Sequence, residues 1–248
     1  MRTLHVGGEA IQSSMRLDDP FALALDYTRA MMAFLLFHPE PRRALMLGLG
    51  GGSLPKYFYK HLRKTSIKVV ELDPRVLAVC RAQFGLPADD ARLEVEIGDG
   101  AQALSPECCD VLVVDAYQDE EHVQELASQA FYDAAFLALA SPGVMVVNFM
   151  DDDRLFDTYL RRIEASFGGA AAAMKALYDP NIAVFALKGL PSRMAWEDLR
   201  LRAARLESLL GLPFTRYLSR LRGMNPCTST ELILQPDPAP GPRRDAAR

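Results

Sequence analysis

The amino-acid sequence predicts an α/β fold: a mostly parallel sheet with helices on both faces, an antiparallel C-terminal hairpin and a small N-terminal β/α appendage. From Arg43 onward, short apolar runs alternate with longer amphipathic runs, and this alternation is typical of βαβ units around a parallel sheet. Half of the residues are hydrophobic and 24% are charged, which is an ordinary globular composition. With 248 residues the chain is long enough for one substantial core, so we expect one main domain.

Apolar runs that end in glycine or acidic residues predict the first four strands. Strands one to three are expected at RALMLG, IKVVELD and RLEVEIGDG, separated by helices at SLPKYFYKHLRK and PRVLAVCRAQFG. The third run alternates between apolar and polar residues, whereas the fourth, CDVLVVDAY, is continuously apolar. A continuously apolar strand is expected to be buried on both faces of the sheet.

The second half of the chain completes the sheet. Helices are expected at VQELASQAFYDAAFLALA and RLFDTYLRRIEASF, on either side of a fifth strand at PGVMVVNFM. In AAMKALYDPNIAVFALKG an Asp-Pro-Asn sequence separates two apolar runs, which predicts a turn between antiparallel strands. The next segment predicts two helices that are broken at Gly211 and Pro213.

These elements divide the chain into three regions. Residues 1–40 are expected to hold a hairpin and an apolar helix that is capped near Asp18 or Asp19. Residues 41–235 are expected to form the main domain. Residues 236–248 are rich in proline and offer little to bury, which predicts a disordered tail.

Charge, hydropathy and cysteine content argue against several classes of partner and of binding site. The formal charge of −4 and the pI of about 5.6 argue against a nucleic-acid partner and favour a small molecule. The first residues show no apolar signal-peptide core, and the most apolar segment, residues 30–37, is too short to cross a bilayer. We therefore expect a cytoplasmic protein that does not contact membranes. The cysteines form no CxxC pair, so we expect neither a disulfide framework nor a metal site.

A glycine cluster follows the first strand of the main domain. Gly48, Gly50, Gly51 and Gly52 occupy four of five positions between an apolar strand and a helix. Glycines at this place let a nucleotide-like ligand lie against the backbone, although a tight turn is an alternative explanation. No Gly-Lys-Ser/Thr follows, which excludes a P-loop.

Acidic residues stand at the ends of the next three strands. Glu71 ends the second strand some twenty residues beyond the glycines, where an acidic side chain can accept both hydroxyls of a ribose. Asp99 follows the third strand and Asp115 follows the fourth, whereas Asp73 is better placed to begin a helix. In open α/β sheets this edge is the ligand crevice, so the pattern predicts a nucleoside-type cofactor.

Four motifs resemble the polyamine aminopropyltransferases, typified by spermidine synthase, which have the Rossmann-like fold of class I AdoMet-dependent methyltransferases. The motifs are GLGGGS from Gly48, VELDPRVLAVC from Val70, GDGAQAL from Gly98 and DVLVVDAYQD from Asp110. The family patterns are approximately GGGDGG, VEIDPxVxxxC, GDG or GDA, and DVIxxDSSDP. The order and spacing agree over residues 42–119, and GGEAIQSS is similar to the family's N-terminal hairpin.

The resemblance implies transfer of the aminopropyl group of decarboxylated AdoMet to putrescine or a related amine, without a metal, by a possible homodimer. It implies that Asp115 is the catalytic residue, accepting the proton of the attacking amine or holding the amine in line. The other implied site residues are Gln12, Gly48, Gly50, Gly51 and Gly52 for the methionine-derived part, Glu71 for the ribose, Asp99 and Gly100 for the adenine, and Tyr27, Tyr117 and Gln118 for the amine pocket.

Two departures from the family pattern leave alternatives open. Gly51 replaces the family Asp that holds the amine of the aminopropyl group, and Gln118 replaces the second Asp of DSSDP. For Asp119, Glu120 and Glu121 two interpretations stay open: they supply the missing charge, or they form a solvated loop. The alternatives are an AdoMet-dependent methyltransferase on the same scaffold and a non-catalytic nucleoside-binding relative. Ser53 stands where an NAD-binding GxGxxG loop has its third glycine, which disfavours a dehydrogenase.

Overall fold

The structure is a computed structural model that describes residues 1–5, 13–115, 117–118, 121–122 and 124–235. For residues 117, 118, 121, 122 and 124 only the backbone is described. The predicted tail at residues 236–248 lies outside the described residues, as does most of the link within the N-terminal hairpin.

The described residues form thirteen strands and seven α-helices. The strands are β1 (Arg2–Leu4), β2 (Ser13–Met15), β3 (Arg43–Leu47), β4 (Ser66–Glu71), β5 (Leu93–Ile97), β6 (Cys109–Val114), β7 (Tyr117–Gln118), β8 (Glu121–His122), β9 (Leu139–Met150), β10 (Ala171–Lys175), β11 (Asn181–Lys188), β12 (Arg193–Ala195) and β13 (Glu231–Ile233). The helices are α1 (Asp26–Met31), α2 (Ser53–His61), α3 (Pro74–Gln83), α4 (Gln129–Ala138), α5 (Phe156–Ser166), α6 (Trp196–Leu210) and α7 (Phe214–Met224).

The central sheet has seven strands in the order β10-β11-β9-β6-β3-β4-β5. The pairs from β9 to β5 are parallel, whereas β11 pairs antiparallel with both β9 and β10. This order confirms the predicted fold, including the antiparallel C-terminal hairpin. The chain begins the sheet at β3, adds β4 and β5 on one side and then crosses to β6 on the other, which creates a topological switch point between β3 and β6.

The sheet separates two hydrophobic cores. Alternate residues of β3 belong to different cores: Ala44 and Met46 pack in the first, Leu45 and Leu47 in the second. The first core also contains buried residues of α1, α2, α6 and α7, while the second contains those of α4 and α5. Because side chains alternate across a strand, the two cores lie on opposite faces of the sheet. All six residues of β6 are buried, as its continuous apolar run predicted.

The N-terminal helix begins later than the sequence predicted. Helix α1 begins at Asp26, not near Asp18 or Asp19, and it continues as a 3₁₀-helix over Met32–Leu36. Neither predicted cap is available: Asp18 binds Arg16, and Asp19 accepts from the Phe21 backbone N–H and pairs with Lys60. These local bonds hold the preceding residues in a turn, so the prediction of the helix start was wrong.

The two C-terminal helices pack against the first core. Their break falls at Gly211, which adopts a left-handed conformation with φ of +67°, and at Pro213, as predicted. Trp196 begins α6 and is only 2% exposed. Within the part of the chain that the structure describes, no helix combines the length and apolar character that a bilayer crossing needs.

Candidate active site

The carboxyl ends of β3, β4, β5 and β6 meet at one edge of the sheet, and the predicted site residues follow them. The Gly48 N–H donates to the Val70 carbonyl at 2.9 Å, and the Asp115 N–H donates to the Leu47 carbonyl at 3.1 Å. The glycine loop and Asp115 therefore lie side by side at the switch point, where open α/β sheets bind ligands.

Packing inside the protein explains two of the four glycines. A Cβ on Gly51 would lie 2.4 Å from Ser13 Oγ and 3.0 Å from Phe84 Cδ1. Gly52 has φ of +68°, and a Cβ there would lie 2.9 Å from Cys80 Sγ. The sequence led us to expect that glycines let a ligand approach the loop backbone. At Gly51 and Gly52 they let neighbouring side chains of the protein approach it.

Glu71 holds the glycine loop in place from the end of β4. Its carboxylate accepts from the Leu49 N–H at 2.8 Å and from the Asp73 N–H at 2.9 Å. The residue is 9% exposed. Each carboxylate oxygen has more than one lone pair, so both oxygens can still accept from the hydroxyls of a ribose. Asp73 caps helix α3, as predicted.

Asp99 and Gly100 lie at the end of β5. The Asp99 carboxylate caps the 3₁₀-helix that begins at Gly100, accepting from the Ala101 N–H at 2.9 Å. Its other oxygen accepts from the Gln102 side chain at 2.9 Å. Since Asp99 is exposed at the ligand edge, the free lone pairs of these oxygens can accept from an amino group.

Asp115 lies at the end of β6 between two uncharged donors. Asn148 Nδ2 donates to Oδ1 at 3.0 Å, and the Tyr27 hydroxyl donates to Oδ2 at 3.3 Å. Burial raises the pKa of Asp115, while the bonds from Asn148 and Tyr27 act in the opposite direction. A carboxyl with a raised pKa is a stronger base than an ordinary aspartate, and the two donors fix its orientation.

Asn148 and Asn181 were missed by the sequence reasoning. Asn148 Oδ1 accepts from Asn181 Nδ2 at 3.0 Å, and the two residues are 4% and 8% exposed. A signal was present for Asn148, which is a lone polar residue near the carboxyl end of an otherwise apolar strand. No local signal marked Asn181, which follows a turn on another strand.

Three predicted residues receive no structural description of their side chains. Gln12 lies outside the described residues. Tyr117 and Gln118 belong to β7, which pairs antiparallel with β8 directly after Asp115, and their side chains are not described. Across the described ranges, no cluster of three or more His, Cys, Asp or Glu side chains could hold a metal ion.

Comparisons with known sequences favour one family. The family model of the spermine/spermidine synthase domain matches residues 25–178 of this chain. A polyamine aminopropyltransferase of Chromobacterium violaceum is 36% identical over 236 residues, which cover 94% of this chain and 90% of that protein.

Comparisons with solved structures find the same scaffold in two kinds of enzyme. Human methyltransferase-like protein 13 in complex with SAH matches with a TM-score of 0.68 and 27% identity, over 76% of this chain and 93% of that chain. A spermidine synthase in complex with the transition state analogue AdoDATO matches with a TM-score of 0.56 and 25% identity, over 65% of this chain and 62% of that chain.

Proposed function

Because this chain belongs to the spermine/spermidine synthase family, we propose that it is an aminopropyltransferase that uses decarboxylated AdoMet. It moves the aminopropyl group to putrescine or a related amine and releases methylthioadenosine. The observation that carries this proposal is the surroundings of Asp115: a carboxyl at the switch point, with a raised pKa and two neutral donors. The family model and the Chromobacterium violaceum relative confirm the family resemblance of the sequence motifs.

The proposed reaction is a displacement at the carbon next to a sulfonium. The amine nitrogen forms a bond to that carbon, the carbon–sulfur bond breaks, and the electron pair leaves with sulfur as a neutral thioether. Only a neutral amine has the lone pair for attack, so a base must take a proton from it. Asp115 accepts that proton, and the leaving thioether requires no metal to stabilise it. Tyr27 and Asn148 hold the carboxylate in line with the amine.

The donor is bound along the edge from the glycine loop to β5. We assign Glu71 to the ribose hydroxyls and Asp99 with Gly100 to the adenine, because their free lone pairs face the ligand edge. In decarboxylated AdoMet the positive sulfonium activates the neighbouring carbon for attack. A carboxylate at the switch point also favours the approach of a cationic amine before its deprotonation.

The tail of the donor meets an unusual environment at Gly51. An acidic side chain at position 51 does not fit, because Ser13 Oγ and the Phe84 ring already lie where its Cβ would be. Instead, Ser13 Oγ and Ser53 Oγ lie 3.3 Å apart beside the loop. Hydroxyl groups carry no charge. Compared with an aspartate, they therefore attract a free ammonium less strongly and repel a carboxylate less strongly.

This packing favours a second candidate function on the same site. An AdoMet-dependent methyltransferase needs no acidic group at position 51, and the match to methyltransferase-like protein 13 in complex with SAH covers 76% of this chain. The two candidates differ in the donor and in the by-product, so one experiment separates them.

The test is titration calorimetry with decarboxylated AdoMet and, separately, with AdoMet, followed by addition of putrescine and an assay for methylthioadenosine. Aminopropyl transfer predicts binding of the decarboxylated form and methylthioadenosine release that depends on putrescine. Binding of AdoMet with no methylthioadenosine release would contradict the proposal and favour methyl transfer. Binding of decarboxylated AdoMet without methylthioadenosine release would indicate a non-catalytic nucleoside-binding relative, and binding of neither donor would contradict both candidate functions.

A double variant tests the role of position 51. Ser13→Gly/Gly51→Asp removes the Ser13 contacts before the carboxylate is added and leaves the Phe84 ring to shift by a few tenths of an ångström, whereas Gly51→Asp alone clashes with Ser13 as well. We expect the double variant to prefer decarboxylated AdoMet over AdoMet about tenfold more strongly than Ser13→Gly does, since charged hydrogen bonds are the stronger kind. An unchanged ratio of dissociation constants would mean that the donor tail lies elsewhere.

The location, the partners and the oligomeric state of the enzyme are also proposed. We place it in the cytoplasm, without membrane or nucleic-acid partners, and as a homodimer by family resemblance. The division into residues 1–40, 41–235 and 236–248 stays a prediction.

A further inference from the structure

The β10–β11 hairpin contacts the two described residues whose side chains hydrogen-bond to Asp115. Tyr27 and Asn148 donate to the two oxygens of the Asp115 carboxylate. Each of these donors is held in turn from this hairpin: Asp179 Oδ2 accepts from the Tyr27 N–H at 2.9 Å, and Asn181 Nδ2 donates to Asn148 Oδ1 at 3.0 Å. The Asp-Pro-Asn sequence therefore forms the turn and also supplies hydrogen bonds to the two residues that contact Asp115.

Asn181 decides which end of the Asn148 amide faces Asp115. An amide has an oxygen that only accepts and a nitrogen that only donates. Because Asn181 donates to the oxygen of Asn148, the nitrogen of Asn148 is left to donate to Asp115. A reversed amide would place two oxygens against each other in a buried site, since both asparagines are less than 9% exposed.

Asp179 acts on the other donor through the backbone. While Asp179 accepts from the Tyr27 N–H, Asp26 Oδ2 accepts from the Tyr178 N–H at 2.7 Å. These reciprocal bonds fasten the first turn of α1 to the hairpin loop. The Tyr27 side chain extends from that turn to Asp115, so its reach depends on the fastening.

We propose that Asp179 and Asn181 are positioning residues, which keep Asp115 in the orientation and protonation state that amine deprotonation requires. The inference rests on the proposed aminopropyl transfer. Of the side chains that the structure describes, those that hydrogen-bond to Asp115 are Tyr27 from α1, which is titratable, and Asn148 from β9, which is not. Among the residues that the structure describes, no ion pair involves Asp115.

The pH profile of kcat/KM for methylthioadenosine release tests Asn181. In Asn181→Ala the Asn148 amide loses its restraint and donates less well to Asp115. The acidic limb of the profile, where kcat/KM falls as the pH is lowered, therefore moves to higher pH. We expect about a tenfold loss on that limb and a smaller loss at the plateau. Because Asn181 acts through Asn148, Asn148→Ala/Asn181→Ala loses no more than Asn148→Ala. If Asn148→Ala does not fold, Asn148→Ser takes its place in the cycle.

The same logic tests Asp179 against Tyr27. Asp179→Ala should move the acidic limb in the wild-type background but not in a Tyr27→Phe background, where the hydroxyl is already gone. Asp179→Asn keeps an oxygen acceptor for the Tyr27 N–H and should restore the wild-type limb.

Asn225, the residue that follows α7, provides a matched control because it hydrogen-bonds to β10 of the same hairpin. Its side chain donates to the Ala173 carbonyl and accepts from the Ala173 N–H, both at 2.7 Å, and within the described part of the chain it has no hydrogen bond to Asp115, Asn148 or Tyr27. Asn225→Ala should lower the melting temperature and leave the acidic limb in place. If Asn225→Ala and Asn181→Ala shift the limb equally, or if the Asn148/Asn181 double variant is additive, the positioning role is wrong.

Carboxyl ¹³C NMR separates this inference from the proposed function. The Asp115 signal, assigned by its loss in Asp115→Asn, should titrate at higher pH in Asn181→Ala than in the wild type. If the wild type transfers no aminopropyl group but this shift occurs, the positioning role stands and the proposed function fails. If transfer occurs and neither the NMR titration nor the acidic limb moves, the positioning role fails alone.

Discussion

Strand β6 has one carboxylate near its start, Asp110, and is followed by another, Asp115, and the surroundings of the two differ. Asp110 accepts from the backbone N–H groups of Arg42 and Arg43 at 2.8 and 2.9 Å and pairs with the Arg43 guanidinium at 3.1 Å. Among the described residues, Asp115 accepts from the neutral side chains of Tyr27 and Asn148. Three bonds tie Asp110 to the start of β3, whereas burial raises the pKa of Asp115 and makes it a stronger base than an ordinary aspartate. The first therefore fastens the strand, and the second is suited to proton transfer.

Asp115→Asn should abolish transfer while leaving nucleoside binding nearly intact. The amide cannot accept the proton of the amine, and the loss of a general base costs about 10²–10⁴ in kcat. Methylthioadenosine release measures the first effect, and calorimetry with the donor measures the second. Asp110→Asn is the matched control, for which we expect lower thermal stability with turnover retained. Retained turnover in Asp115→Asn would remove that residue from its catalytic role.

The pH dependence of transfer should reflect the raised pKa of Asp115. The base must be deprotonated to act, so activity falls as the pH falls through its pKa, and this limb should lie above the ordinary aspartate value near 3.8. Tyr27→Phe removes one of the bonds that lower the pKa, so the limb should move to still higher pH. A limb that stays fixed in Tyr27→Phe would show that another group is being titrated.

At the scale of elements, helix α2 carries a buried lysine beneath the glycine loop. Lys56 is 1% exposed, and its Nζ donates to the Phe84 carbonyl at 2.7 Å. Phe84 is also the ring that packs against Gly51. The lysine thus ties the residue after α3 to the helix that follows the loop. Burial lowers the pKa of Lys56 to about 8.

Lys56→Met should change how stability depends on pH. Between about pH 8 and 10.5 the unfolded chain binds more protons at Lys56 than the folded chain, so wild-type stability gains from this group as the pH rises. Relative to Lys56→Met, the wild type should gain about 3 kcal/mol in free energy of unfolding across this window. Urea unfolding of both proteins at several pH values measures the difference. A difference that does not change with pH would contradict the lowered pKa.

At the scale of the whole molecule, one sheet joins two cores. Ile163 of α5 is fully buried in the second core, and Trp196 of α6 is buried in the first. Since both cores pack on the same strands, neither face of the sheet can lose its cover without exposing apolar residues of those strands. The two cores should therefore unfold together.

The single tryptophan makes this cooperativity measurable. Ile163→Ala should destabilise the protein by about 2–5 kcal/mol. The Trp196 fluorescence transition should shift by the same amount as the far-UV circular dichroism transition, although Trp196 lies across the sheet from the substitution. Two separated transitions, with the fluorescence change unmoved by Ile163→Ala, would indicate independent units.

Local patterns in the sequence were enough to predict the sheet and the edge at which a ligand is expected. Apolar runs and helical periodicity are local properties, and they predicted β3 to β6 and the helices between them. The rule that parallel strands present their carboxyl ends at one edge then brought Glu71, Asp99 and Asp115 together without further information. The motifs around these residues were sufficient to identify the family.

Only the tertiary structure decided what surrounds those residues. Ser13 against Gly51, and Asn148 and Asn181 behind Asp115, are contacts between residues more than thirty positions apart. The start of α1 likewise depends on partners that Asp18 and Asp19 find through space and across a turn. Hydrogen bonds and close packing depend on tenths of an ångström between elements, whereas hydrophobic periodicity specifies only which face of an element is buried.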